Sequence, residues 1–168
     1  SDLRTGQVTG VEALLRWQRP GHGLSAPDRF VSVLEDTGLI LPVGAWVIRA
    51  ACQQLAAWDR LGLPPLRLAV NLSARQFRHL YLASMIEDSL RENAIDPQRL
   101  EIELTESLVM EDTESTRAML DSFRRLGVRL AIDDFGTGHS SLSYIQRFAI
   151  DTLKIDRSFV QSLPDNSE

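Results

Sequence analysis

Five short runs rich in aliphatic residues, "VTGVEALLRW", "LRLAVNLSA", "RLEIELTES", "VRLAIDD" and "DTLKIDRSF", alternate along the chain with stretches of helical periodicity. Parallel strands need a crossover long enough to hold a helix, so this alternation predicts a parallel α/β architecture. Between the first two runs, Pro27 suits a first helical position and Gly38 a stop, and a second helix carries Val47, Ala51, Leu55 and Trp58 on one face. Further apolar stripes are Leu82, Met85, Ile86, Leu90 and then Thr116, Met119, Leu120, Phe123, Leu126, the last ending at Gly127. These stripes read as packing against a sheet. With 168 residues, of which 43% are hydrophobic, the chain is expected to form one domain, residues 1–168, with a core of its own. The closing "LPDNSE" reads as a loop or frayed end.

Parity within the runs narrows the architecture. Leu100, Ile102 and Leu104 share one face, opposite Glu101, Glu103 and Thr105; Leu153 and Ile155 oppose Thr152, Lys154 and Asp156. A sheet covered by helices on both sides would not tolerate the polar face. A closed (β/α)8 barrel would, with aliphatics toward the helices and polar residues toward the mouth where active sites are built. The same parity sends Glu12 and Arg16 together from the first strand, Asn71 from the second and Asp133 from the fourth.

Charge excludes some partners. A net charge of −5 and a pI near 5.2 argue against a broad surface for nucleic-acid polymers or anionic membranes, both of which need clustered Lys and Arg. The most apolar stretch, "GLILPVGAWVIRAAC", is interrupted by Pro42 and Arg49 and falls short of a spanning length of ~20 residues. A single cysteine, Cys52, suits a reducing compartment and reads as a small core hydrophobe, so a cytoplasmic location is expected.

Five strands thus deliver Glu12, Asn71, Glu103, Asp133 and Lys154 to one rim, with Glu106 and Asp134 adjacent. Oxygen ligands gathered so closely would repel without a cation, and carboxylate and amide oxygens without Cys or paired His select Mg²⁺ or Mn²⁺ over zinc. Neighbouring aspartates allow two ions at ~4 Å, the spacing used for in-line phosphoryl displacement. Lys154 would then orient or help deprotonate an attacking water. His22, His79 and His139 are scattered and read as surface or loop residues. Each residue has a plainer reading alone: Glu106 and Asp134 as helix starts, Lys154 and Arg16 as solvated cations, Asn71 as a strand-end turn residue. Enolase-like proton abstraction by a strand-end lysine also stays open on chemistry alone.

The segments "EALLRW", "NLSARQF", "ELTES", "IDDFGTGHSSL" and "LKIDRSFV", in this order, resemble the EAL domain family of bacterial cyclic di-GMP phosphodiesterases across nearly the whole chain. The resemblance implies hydrolysis of cyclic di-GMP to the linear dinucleotide, the alternative being a catalytically silent receptor for it. By match, Glu12, Asn71, Glu103 and Asp133 resemble ligands of a first metal and Asp133 with Asp134 those of a second. Lys154 resembles the catalytic lysine, Arg16 and Leu14 substrate contacts, and Asp134 to Ser141 a functional loop anchored by Glu106. The family also implies homodimers and fused sensor or cyclase domains, including attachment as the cytoplasmic part of a membrane-bound protein. No segment matches the family's opening strand or its last two strand-helix units, so the 168 residues are expected to be part of a longer barrel.

Overall fold

In the computed structural model, residues 1–111, 113–136, 148 and 150–158 are described. Five parallel strands form one sheet in the order β1 (Gly10–Ala13), β4 (Arg67–Asn71), β5 (Leu100–Thr105), β6 (Arg129–Phe135) and β7 (Thr152–Ile155). Apart from β1, which is followed by a short antiparallel hairpin of β2 (Trp17–Arg19) and β3 (Gly23–Ser25), neighbouring strands follow one another in the chain, as in a barrel wall. The helices are α1 (Val31–Thr37), α2 (Ile40–Arg60), α3 (Ala74–Phe77), α4 (Leu82–Glu92), α5 (Glu106–Met110) and α6 (Glu114–Leu126). This is the parallel-strand, helix-backed arrangement of a (β/α)8 barrel wall, and it bears out the expected class.

The hairpin corrects the first strand-like run. β1 stops at Ala13, and Trp17–Arg19 turns back through Gly21 and Gly23, whose φ angles of 74° and 71° open conformations that other residues strain to adopt. Pro27 opens a single 3-10 turn, Pro27–Arg29, while α1 ends as expected at Gly38 with φ 79°. α2 is longer than its sequence stretch suggested. Its 21 residues meet the length and apolarity of a membrane span, against the shortfall expected, because Pro42 sits in the first turn, where no backbone donor is needed. Ile48, Cys52 and Leu55 nevertheless carry the helix into the core, fully buried against the sheet.

That core lies on the helix side of the sheet. Leu68, Val70, Leu100, Ile102, Leu104, Leu130 and Ile132 meet Ile86, Leu90, Leu120 and Phe123 from α4 and α6, with Phe77 and Phe123 packed edge to face at 6.0 Å. α6 is capped at Thr113, whose hydroxyl accepts the Thr116 N–H, and closed at Gly127 with φ 81°. His22 and His79 are exposed as expected; the readings of His139, of the loop through Ser141 and of 163–168 lie outside the described residues.

Candidate active site at the strand ends

The concave face of the sheet is polar, and its curvature makes the site. Glu12 stands on β1 and Lys154 on β7, at opposite edges of five strands that would lie roughly 19 Å apart in a flat sheet. Lys154 Nζ is nevertheless 3.2 Å from Glu12 Oε2, 2.9 Å from Glu103 Oε2 and 3.4 Å from Asp133 Oδ1. Asn71 completes the ring by donating its side-chain N–H to Glu12 Oε1 at 2.8 Å. Register explains the convergence: Asn71 is opposite Glu103, but Glu12 is opposite Ala69 and Glu103 opposite Ala131, so the site steps two residues along at each of those crossings. Such a slanted line of same-face residues follows the stagger of a barrel wall.

At Asp133 and Asp134 the strand is irregular. The pairing of β6 with β7 shifts between Ile132 and Phe135, and Asp134 adopts φ 53°, left-handed backbone that Asp tolerates better than most residues. Past this irregularity Asp134 is exposed and lines the same cavity as Asn71 and Thr105. Immediately beyond it, Gly136 has φ 102° and donates its N–H to Glu106 Oε2 at 2.8 Å. Glu106, first residue of α5, is buried, so its carboxyl ties the chain after the double aspartate back to the helix that follows the preceding strand, β5.

Electrostatics follow from this crowding. Glu103 is only 2% exposed, and burial pushes its carboxyl up to about 7, with the charges of Glu12 and Asp133 adding and Lys154 opposing. Burial also works against ionisation of Glu12, but hydrogen bonds from Asn71 and Lys154 outweigh it and hold its carboxyl below the usual range. Asp134 is raised by burial and by the neighbouring Asp133 and Asp156. Burial opposes the charge on Lys154, yet Glu103, Asp133 and Glu12 together raise it further into the protonated range. The amine is thus held as a donor, which favours orienting a water or a phosphate oxygen over taking a proton. It is also the sole lysine among 18 Lys and Arg residues in the chain, a compositional mark that strand parity did not use.

Among the described residues no three acidic, His or Cys side chains converge closely enough to hold an ion as they stand. The ammonium occupies that centre. The donors, three carboxylates and an amide oxygen able to turn inward, suit a hard divalent cation in the ammonium's place, and the buried Glu103 calls for such positive charge.

Two expected substrate contacts stand apart from this ring. Because β1 ends at Ala13, Arg16 does not share a strand face with Glu12; it is exposed, and its guanidinium donates to the Leu15 carbonyl at 2.8 Å. Leu14 is exposed and borders a cavity of about 720 Å³ beside the rim, lined also by Asn71, Ser73, Thr105 and Asp134. Pro27, Asp28 and Val31 also line it; of these, the sequence assigns a role to Pro27 alone, that of a first helical position. The wall behind Asn71 is built by α3, where Ser73 and Gln76 cap each other reciprocally and Gly44 of α2 leaves room for the Gln76 amide.

A parallel, helix-backed sheet whose outer strands share an acidic cluster at the C-terminal strand ends defines a barrel-wall protein with its site at the mouth. The EAL domain model matches residues 1–168, and the chain belongs to the EAL domain family. An uncharacterized protein of Sinorhizobium fredii is 47% identical over 168 residues, 100% of this chain and 20% of that protein. MucR of Pseudomonas aeruginosa, a bifunctional diguanylate cyclase/cyclic di-GMP phosphodiesterase, is 43% identical over 163 residues, 97% of this chain and 24% of its own length. The solved MucR phosphodiesterase in its c-di-GMP complex superposes with a TM-score of 0.90 at 43% identity, covering 96% of this chain and 66% of that one. The chain therefore spans about a fifth to a quarter of these curated relatives.

Proposed function

We propose that the protein containing this chain hydrolyses cyclic di-GMP to the linear dinucleotide in a reaction dependent on Mg²⁺ or Mn²⁺. The observation that carries the reading is the convergence of Glu12, Asn71, Glu103, Asp133 and Lys154 from five strands onto one centre in a chain of the EAL family. In the reaction, water adds to phosphorus on one side while the phosphorus–oxygen bond to the ribose on the opposite side breaks, and the leaving oxygen takes up a proton. Glu12, Asn71, Glu103 and Asp133 would hold a first ion, and Asp133 with Asp134 a second. The ions supply Lewis-acid charge and make water a stronger nucleophile near neutral pH.

The remaining work belongs to side chains of the protein. Lys154, which reaches Glu12, Glu103 and Asp133 from β7, would orient the attacking water and offset charge developing on the phosphate oxygens. Leu14 bounds the space for one side of the dinucleotide, and Arg16, freed from the Leu15 carbonyl, would reach a phosphate. Glu106 fixes the start of the functional loop through Gly136. Fused sensor or cyclase domains, a homodimer and a cytoplasmic setting for this domain complete the reading, which the greater length of the relatives supports for the fused domains.

The test is chromatographic detection of the linear dinucleotide after incubating the full-length protein with cyclic di-GMP and Mn²⁺. Product is expected, with at least a 100-fold loss on Lys154→Ala and on Asp133→Asn. Tight binding of cyclic di-GMP with no product would replace the hydrolase by a receptor; equal rates for wild type and Lys154→Ala would remove Lys154 from the mechanism.

A further inference from the structure

Two alanines occupy the concave face where strands ordinarily favour β-branched residues. Ala69 on β4 is in register with Glu12 on β1 and Glu101 on β5; Ala131 on β6 is in register with Glu103 on β5 and Thr152 on β7. Their parity is that of Asn71 and Asp133, and neither joins the helix-side core that takes up Leu68, Val70, Leu130 and Ile132. Both are nevertheless buried, Ala69 at 7% and Ala131 at 0% exposure.

What passes beside them gives the reason. Two bridges cross β6 on either side of Ala131: Lys154 Nζ to Glu103 Oε2 at 2.9 Å, and the Thr152 hydroxyl donating to Glu101 Oε2 at 2.9 Å. The flanking strands are about 10 Å apart, so the Lys154–Glu103 bridge needs the ground over β6 beside Ala131 left clear, whereas Glu101 Oε2 also accepts from Arg129 Nε of β6 at 3.3 Å. The γ-methyls of a valine at position 131 would stand in the path from Lys154 to Glu103. Ala69 similarly borders a hollow of about 280 Å³ lined by Glu12, Glu101, Glu103 and Lys154, the space in which Glu12 meets Lys154 across the sheet.

We propose that Ala69 and Ala131 are positioning residues whose small side chains hold open the space in which Glu12, Glu103 and Lys154 converge. A larger residue at either place would separate Lys154 from its carboxylates while leaving the helix-side core untouched. The catalytic consequence rests on the hydrolase reading above; the spacing itself is a property of the metal-free protein.

Two readouts on the full-length protein test this. In EDTA, acylation of Lys154 by acetic anhydride, followed by peptide mass mapping, reads whether the amine is still held. Ala131→Val should raise that labelling rate at least fivefold, whereas Ala131→Gly, which only removes volume, should stay within twofold of wild type. With Mn²⁺ and cyclic di-GMP, Ala131→Val should lower kcat at least tenfold and raise the half-saturating Mn²⁺ concentration, with KM for the dinucleotide within threefold. Valine suits a strand, and circular dichroism checks that the fold survives; if Ala131→Val does not fold, Ala69→Val carries the same labelling test through the Glu12 contact. Unchanged labelling in a folded valine variant would overturn the proposal. Absence of hydrolysis by the wild type would instead overturn the hydrolase reading, with labelling still deciding the spacing.

Discussion

Replacing Glu103 by Gln should change how stability depends on pH, and the size of the effect follows from where the carboxyl lies. In the metal-free protein Glu103 is almost fully buried and its carboxyl is raised from 4.5 to about 7. The folded state therefore binds a proton more tightly than the unfolded chain between those values. Stability from this group is fully present below about pH 4.5, declines as pH rises, and is gone above about pH 7. The gap corresponds to roughly 3 kcal/mol. Urea denaturation in EDTA at several values between pH 4.5 and 8 should show the wild type losing about that much relative to Glu103→Gln, which has no proton to release. Saturating Mn²⁺ should oppose the loss, because a cation at the site favours the ionised carboxylate, and its stabilisation should be greatest above pH 7. Parallel pH profiles for wild type and Glu103→Gln would refute the account of Glu103 as a buried, proton-holding carboxyl.

Other outcomes follow from neighbouring contacts. Gly44→Ala, which in an isolated helix would stabilise by about 1 kcal/mol, should instead destabilise by ~1–3 kcal/mol, since its methyl runs into the Gln76 amide. The double variant with Gln76→Ala should cost less than the two single changes added, measured by chemical denaturation. Glu106→Ala removes the charged acceptor of the Gly136 N–H, worth ~1.5–3 kcal/mol, so amide exchange at Gly136 should quicken roughly 10- to 100-fold in hydrogen-exchange mass spectrometry; unchanged exchange would mean the anchor is idle. Cys52 is fully buried and its thiol is pushed up to about 11 by burial, so Ellman's reagent at pH 8 should modify it only as fast as the protein unfolds.

Much of this molecule was legible as periodicity. The period of two in "LEIELT" assigned Leu100, Ile102 and Leu104 to the core and Glu103 to the polar face, and the helical stripe from Thr116 to Leu126 ended at Gly127 as its αL stop requires. These are local properties: side-chain alternation and capping are set by a few consecutive residues, so the chain carries them without its fold. The same logic failed at Arg16, because whether a strand continues past Ala13 depends on which strand lies beside it. β1 pairs with β4 from Gly10 to Ala13, and the chain then enters the hairpin.

Parity placed Glu12 and Lys154 on one rim, but the residue pattern could not supply their direct contact. Residue identity selected hard oxygen donors and a single lysine, and family resemblance arranged them in order along the chain. Their approach to 3.2 Å from opposite edges of the sheet comes from the curl and stagger of five parallel strands, with a register shift between β6 and β7 at the double aspartate. Those features arise from the accumulated twist of neighbouring strands and from their packing on the helices. The sequence alone named the groups expected at the strand ends, Arg16 and Leu14 among them; only the tertiary structure decided that Lys154 stands, protonated, between the carboxylates of Glu12, Glu103 and Asp133 while Arg16 and Leu14 lie apart, because the distance between strands is a property of the whole sheet.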